Sequence, residues 1–417
     1  MRLHSWFSPL RERNFRLFFI GQTASQIGSG MAPVAVVFAV LAHGNASDVG
    51  FVLTAGTVPL VLLLLVGGVV GDRMSRRTLM LQSDALRTVA ECTLGLWILV
   101  GRPPLWGFMA LTALMGIGQA FFSPALTGII PQMLDERNLQ QGNALNGISS
   151  SSGGIIGPAI AGIIVAISNP GWAVLIDGLT YLLSVVSLWM IRIDWTVSEK
   201  SDTFFVLLRQ GWRELWSRSW LWSIIVQSAF INALFASFLV LGPVVAKASL
   251  GGATAWGAIL AAEGAGAVVA GLIMLRVHPR RPLLAACLWS LFFPIPMFFI
   301  ADRSPTAIIA ITAFLAGGGV TVFSVQWHTT LQREIPTDAL SRVSAYDWFG
   351  SLVFLPIGTA VVGPVSASIG ITTTLVGSGV LVMLLILAAV AIPSVRQLRA
   401  PERSQSVQRV RTPSITR

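Results

Sequence analysis

Twelve stretches of this 417-residue chain are apolar for the length a helix needs to cross a bilayer, and they follow one another with little between them. They lie near 15–41, 48–71, 78–100, 104–128, 142–168, 171–193, 220–247, 252–275, 282–301, 305–328, 341–369 and 371–392. About 20 residues suffice for a crossing. Lipid offers no partner to open backbone groups, so runs of this kind have to be helices. The composition agrees: 54% of residues are hydrophobic and 11% charged, whereas a soluble domain has about 25% charged residues. The first run is too long for a signal-peptide core and has no cleavage site, so it reads as a retained span.

The basic residues set the orientation. Of 28 lysines and arginines, 24 fall in segments on the side of the N-terminus, and three (Arg102, Lys247 and Arg303) fall on the other. Arg87 lies inside a run. Such a bias places the arginine-rich side in the cytoplasm, so both termini are expected there, in a multi-pass protein of the cell membrane. The net charge of +10 is dispersed between apolar runs rather than gathered in a patch, which argues against a nucleic-acid partner.

The chain divides into a six-helix bundle over 1–193, a linker over 194–219, a second six-helix bundle over 220–393 and a disordered basic tail over 394–417. In the linker, Phe204, Leu208, Trp212, Leu215 and Trp216 fall at helical spacing with Arg209, Arg213 and Arg218 off that stripe. That pattern suits a helix lying on the inner leaflet, and linker and tail are expected to touch membrane lipid. The halves also repeat. Leu139–Leu145 matches Leu340–Tyr346 at an offset of 201, and an offset of 203 carries Gly68 onto Gly271 and Arg73 onto Arg276. Two copies in one orientation give parallel halves about an axis along the membrane normal.

Between the second and third runs stands Gly68-Val69-Val70-Gly71-Asp72-Arg73-Met74-Ser75-Arg76-Arg77. An acid among cations at a helix end, in a connection too short to hold a domain, suits a lock between helices. Ionisable residues inside spans are functional suspects, and five acids qualify: Asp84, Glu91, Asp177, Glu263 and Asp347. Asp84, Arg87 and Glu91 share one face of the third run. They form either a self-neutralised ladder or a switch in which Arg87 releases one acid for a proton. Glu263 has no charged residue within a turn and is the first candidate for carrying a proton, unless it is hydrogen-bonded to a neighbouring helix. Asp347 can carry a proton, close a cytoplasmic gate or contact the Asp72 loop.

The loop over 68–77 resembles the signature loop of the major facilitator superfamily, with Ser75 in place of its last glycine. Gly153, Gly157, Pro158 and Gly162 stand where the fifth-span motif of that superfamily's antiporters has them, with Ala161 replacing one glycine. Ala113 occupies the place of an arginine that many drug antiporters carry. The run from Phe15 to Gly28 and the stretch Arg342-Val343-Ser344-Ala345 are similar to the branch that exports siderophores and macrolides. The resemblance covers nearly the whole chain and implies twelve helices in two pseudo-symmetric bundles. It further implies a substrate cavity lined by spans one, four, seven and ten. Those spans offer Gln22, Gln26, Gln119, Phe122, Gln227, Asn232, Phe235, Phe323 and Gln326. A wall of amides and aromatics suits an amphiphilic organic molecule.

The expected function is therefore proton-coupled efflux of a small amphiphilic molecule by a rocking monomer. The alternatives are a nutrient importer or facilitator of the same fold, and a membrane sensor that transports nothing. There is no phosphate-binding loop for ATP. The four histidines make no metal set, no nucleophile triad is visible, and neither an enzyme nor a cofactor is expected. Cys92 and Cys287 lie inside apolar runs and read as packing residues.

Overall fold

The computed structural model describes residues 8–192 and 212–399, apart from 275 and 278, and the side chains of 65–73, 127, 136, 137, 140 and 337–342 are likewise outside the description. Among the described residues there are helices and turns and no strand. The first half is α1 (Arg13–Leu41), α2 (Ala46–Arg73), α3 (Arg76–Val100), α4 (Leu105–Met133), α5 (Glu136–Ile167) and α6 (Pro170–Met190). The second is α7 (Ser219–Val245), α8 (Gly252–Met274), α9 (Pro282–Ser290), α10 (Ile295–Ala301), α11 (Thr306–Glu334), α12 (Thr337–Leu352), α13 (Leu355–Ile369) and α14 (Ile371–Ala391).

Among the described residues, eleven segments are long and apolar enough to cross a membrane. The twelfth expected run forms α3, whose 25 residues reach about 37 Å at 1.5 Å per residue. It has the length of a crossing but carries Asp84, Arg87 and Glu91 in its middle.

Short connections and local caps fix the helix ends. Ser75 accepts from Thr78 N at 3.1 Å to begin α3. Asn169 Oδ1 accepts from Gly171 N at 2.8 Å to begin α6, with Pro170 at its first position. Such caps satisfy backbone donors that have no partner inside the helix. The ninth run breaks into α9 and α10, and the eleventh into α12 and α13, where one continuous helix each was expected. Pro294, Pro296 and Pro356 stand at these breaks, and a proline lacks the donor a helix interior needs.

The packing repeats between halves. Helix α1 packs on α5 and α6, α2 on α4, and α3 on α4 and α6. In the second half α7 packs on α13 and α14, α8 on α11, α9 on α11, and α10 on α14. The halves meet along two seams, α5 on α8 and α2 on α13.

The cores reveal an asymmetry between the two ends of the molecule. At the end away from the termini, one apolar cluster takes residues from both halves, among them Val37, Leu41, Val49, Leu241, Trp256 and Val362. At the terminal end there are two separate clusters. One is built on Phe15, Leu79, Ile129 and Leu188, the other on Trp220, Leu283, Leu331 and Val395. Hydrogen bonds join the halves at the far end: Thr54 Oγ1 and Thr359 Oγ1 lie 2.8 Å apart, and Lys247 donates to the Leu41 carbonyl. One apolar cluster thus spans both halves at the far end, whereas among the described residues the clusters at the terminal end each belong to one half.

Residues 194–211 of the expected linker and 400–417 of the expected tail lie outside the described residues, and the start of the tail, expected disordered from 394, is a short helix over Pro393–Gln397 with Val395 buried. The described end of the linker packs on the second half: Trp212 lies 5.8 Å from the Tyr346 ring, Leu215 is buried, and Arg218 bridges Glu214 at 2.7 Å.

Candidate functional site

A polar cluster lies in the interior of the first half. Three close approaches make room for it. A Cβ added at Gly118 of α4 would stand 2.8 Å from Arg87 Cγ. One at Gly28 of α1 would stand 2.5 Å from Asp177 Oδ1, and one at Gly178 of α6 would stand 2.8 Å from Cys92 N. Glycine at these positions lets long polar side chains occupy space between backbones.

Arg87 is the centre. Its Nη1 lies 3.3 Å from Asp84 Oδ1, and its Nη2 donates to Gln119 Oε1 at 2.5 Å. The guanidinium carbon sits 4.6 Å from the Phe122 ring centre and 5.2 Å from that of Tyr181, a cation between two aromatic faces. Ser184 donates to Asp84 Oδ2 at 2.6 Å. Tyr181 and Ser29 of α1 share a hydrogen bond of 2.8 Å. Of the two partners the sequence offered Arg87, the ion pair is made with Asp84 and not with Glu91. Glu91 Oε2, Asp177 Oδ2 and Arg87 Nε are buried and have no hydrogen-bond partner. The spacing along α3 made Asp84, Arg87 and Glu91 legible, and Asp177 was among the acids singled out; Tyr181 and Ser184, at i+4 and i+7 from it on α6, were the part missed. Their common face was the available signal.

The other two acids are in the second half, away from this cluster. Glu263 of α8 stands where α8 meets α11: a Cβ at Gly317 of α11 would lie 2.7 Å from the Glu263 carbonyl carbon. The neighbouring Gly264 faces α5, with its added Cβ 2.8 Å from Gly154 O. Glu263 is therefore at the junction of a seam between halves. Asp347 of α12 is buried and accepts from Trp327 Nε1 at 2.9 Å. Trp327 in turn stacks near Phe323 and meets Trp220 edge-on.

The cavity candidates separate into groups. Gln227 and Asn232 of α7 and Phe323 of α11 line a void of about 180 Å³ within the second half, together with Ser290 and Phe293. Gln227 donates to Leu385 O at 3.1 Å, and Asn232 donates to Ser351 O at 2.9 Å, so both amides also tie α7 to its neighbours. Phe235 packs against Phe238 and Phe293, with ring centres 5.0 and 4.4 Å away. Gln326 points to α8 instead, 3.5 Å from Met274 Sδ. In the first half Gln22 and Phe122 are buried, Gln26 is half-buried with its backbone against Gly153, and Gln119 is exposed.

For the loop, the side chains of Gly68, Asp72 and Arg73 lie outside the described residues. Arg76 donates to the Gly128 carbonyl of α4. Arg77 donates to Leu188 O at 2.8 Å and Trp189 O at 2.7 Å, a cation on the last carbonyls of α6, where the helix dipole favours it. The fifth-span motif faces two ways. Gly153 and Gly157 let α5 touch α1 at Gln26 and Gly30, whereas Pro158 and Gly162 meet Gly257 of α8.

A family model described as a transmembrane secretion effector, of the MFS or major facilitator type, matches residues 4–416. The chain belongs to the transmembrane secretion effector family. Its members are multi-pass membrane transporters, and the eleven apolar crossings agree with that. Among curated relatives, this family member is 25% identical over 399 residues to the multidrug efflux pump Tap of Mycolicibacterium fortuitum, covering 92% of this chain and 96% of that one. It is 21% identical to macrolide efflux protein A of Streptococcus pyogenes, over 92% and 97% of the two chains. It is 23% identical to the enterobactin exporter EntS of Salmonella typhi, over 85% and 86%. Among solved structures the nucleoside transporter NupG superposes with a TM-score of 0.72 at 11% identity, covering 93% of this chain and 100% of that one. A bacterial homologue of the lysosomal transporter Spinster does so at 0.69 and 15%, over 93% and 98%. The fold expected for this effector-family chain, all-helical in two pseudo-symmetric bundles, is the one found.

Proposed function

We propose that this chain exports a small amphiphilic organic molecule by proton-coupled alternating access. The observation that carries the reading is the asymmetry of the cores: one shared apolar cluster at the far end, two separate clusters at the terminal end. Two blocks joined at one end and parted at the other form one of the two states a rocking carrier needs. Three of the relatives are named for efflux or export, which favours outward transport over import. The arginine bias puts the terminal end, and hence the parted end, in the cytoplasm.

On this reading the protein acts as a monomer in the cell membrane, takes substrate from the cytoplasmic side and returns with protons. Glu263, Asp347 and Glu91 are the coupling candidates. The Asp72 loop, with Gly68, Arg73, Arg76 and Arg77, stabilises one end of the cycle. Gln22, Gln26, Gln119, Phe122, Gln227, Asn232, Phe235 and Phe323 supply the amide and aromatic contacts available to an amphiphile.

The test is flux in proteoliposomes with an imposed pH gradient, using ethidium and erythromycin as probes. Gradient-dependent movement of either probe supports the reading. Probe movement that ignores the gradient removes proton coupling, and no movement of any small molecule across a wider panel removes transport.

A further inference from the structure

Resting on that proton-coupled reading, we propose that Glu91 and Asp177 together form one proton-binding site in the first half, linked to the substrate path through Arg87 and Gln119. Helices α3 and α6 touch at Gly178, where an added Cβ would lie 2.7 Å from Cys92 Sγ and 3.2 Å from the Glu91 carbonyl carbon. That contact brings Glu91 and Asp177, the residue before Gly178, to one level between the same two helices. Glu91 is 3% exposed and Asp177 0%, and each leaves one carboxylate oxygen without a partner.

Among the described residues the surroundings supply no second cation. Helix α3 presents Asp84, Arg87 and Cys92, and α6 presents Thr180, Tyr181 and Ser184. Helix α1 presents Gly28 and Ser29, and α4 presents Gln119 and Phe122. Arg87 is already opposite Asp84. Asp84, Glu91 and Asp177 set three buried carboxylates against the single cation Arg87, so ionising all three leaves uncompensated buried charge, which is costly. One proton held between Glu91 and Asp177 removes one charge. It also gives one carboxyl an O–H donor and the other an acceptor role, so a single proton meets both unpartnered oxygens.

Arg87 is also the path by which the site is read. One of its nitrogens holds Asp84, another holds Gln119, and Nε is unpartnered. Gln119 is exposed. A substrate group that donates to the Gln119 amide oxygen displaces Nη2. The released guanidinium turns toward Glu91 and Asp177, where its charge favours the ionised pair, and the proton leaves the carboxyl for water. The guanidinium stays protonated throughout, so one proton is released for each arrival.

The probe-free test is infrared difference spectroscopy of the purified protein in lipid between mildly acidic and alkaline pH. The carboxylic C=O band that titrates should be lost in Glu91→Gln and equally in Asp177→Asn, because either change dissolves the pair, and should persist in Glu263→Gln. Either variant alone carries the test if the other fails to fold. A titrating band unchanged in the variant that folds overturns the shared site. In proteoliposomes with ethidium, Gln119→Ala should lower the protons moved per ethidium by at least twofold, a ratio of two fluxes that is unaffected by any loss of ethidium affinity. Unchanged stoichiometry overturns the Gln119 link. If the wild type shows no gradient-driven flux, proton coupling falls while the infrared result still decides whether the site exists.

Discussion

Placing a methyl group at Gly162 should prise the far end apart. In the closed arrangement the Cβ of Gly162→Ala would sit 2.8 Å from Ala253 O and 3.3 Å from the Cα atoms of Thr254 and Gly257. A carbon meets a carbonyl oxygen comfortably at about 3.3–3.6 Å, so α5 and α8 must separate by about half an ångström. The obstacle is backbone and cannot turn aside as a side chain would. Overpacking of this kind costs about 1–3 kcal/mol. The cost applies only while the far end is shut, so the ratio of open to shut should rise by about 5- to 150-fold. Spin labels on cysteines at His43 and Ser368, exposed positions at the far end of the two halves, report this as a longer-distance population in double electron–electron resonance. Gly147→Ala is the control, since nothing lies within 4 Å of its added Cβ. If Gly162→Ala and Gly147→Ala give the same distance distribution, the α5–α8 seam does not hold the far end shut.

Thr359→Val removes one hydroxyl of the 2.8 Å pair with Thr54 and should shift the same distances by a smaller amount, about 1 kcal/mol; an effect larger than that of Gly162→Ala would contradict the ranking. Trp327→Phe leaves the buried Asp347 carboxylate without its 2.9 Å donor and should cost about 1–3 kcal/mol, read as a lower melting temperature in detergent, with no change counting against that contact. Impermeant maleimide on intact cells should label single cysteines at positions 45, 170, 250 and 303 and spare 75, 135, 205, 279 and 405; labelling at 205 would refute two halves with both termini inside.

The all-helical architecture and the order of its helices were legible because run length and punctuation suffice for them, although eleven of the twelve expected runs qualify as apolar spans among the described residues. The rotation of each helix about its axis was not. In a soluble helix the polar face marks the outside, but here lipid-facing Leu62 and Ile163 are as apolar as buried Val34 and Leu241. Gln326 therefore read as a cavity residue when it faces Met274. The sequence left Arg87's partner open because the competing acids, Asp84 at i−3 and Glu91 at i+4, both share its face of the helix. Ser184 on α6 decides in favour of Asp84, and no local pattern connects residues 100 positions apart. The fifth-span glycines were found as a motif, but that Pro158 and Gly162 face the opposite half while Gly153 and Gly157 face their own required the packing.

The two copies of the repeat have diverged into unlike materials. At the offset of 203, Asp84, Arg87 and Glu91 correspond to Cys287, Ser290 and Pro294. Where the first half has an unbroken helix tied to two neighbours, α4 and α6, by hydrogen bonds and cation–aromatic contacts, the second has a helix cut in the middle. The cut closes with tight i to i+3 hydrogen bonds, Phe292 N to Trp289 O at 3.2 Å and Phe293 N to Ser290 O at 3.0 Å, so it is tolerable in lipid yet bends easily. The result is a stiff jaw facing a compliant one. On the export reading, a guest of unfamiliar shape is accommodated by flexing the second jaw around the void beside Ser290 and Phe293, while the geometry of the charged interior in the first stays the same from guest to guest. Tolerance toward cargo and constancy of the ionic machinery are, on that reading, kept in separate copies of one repeated unit.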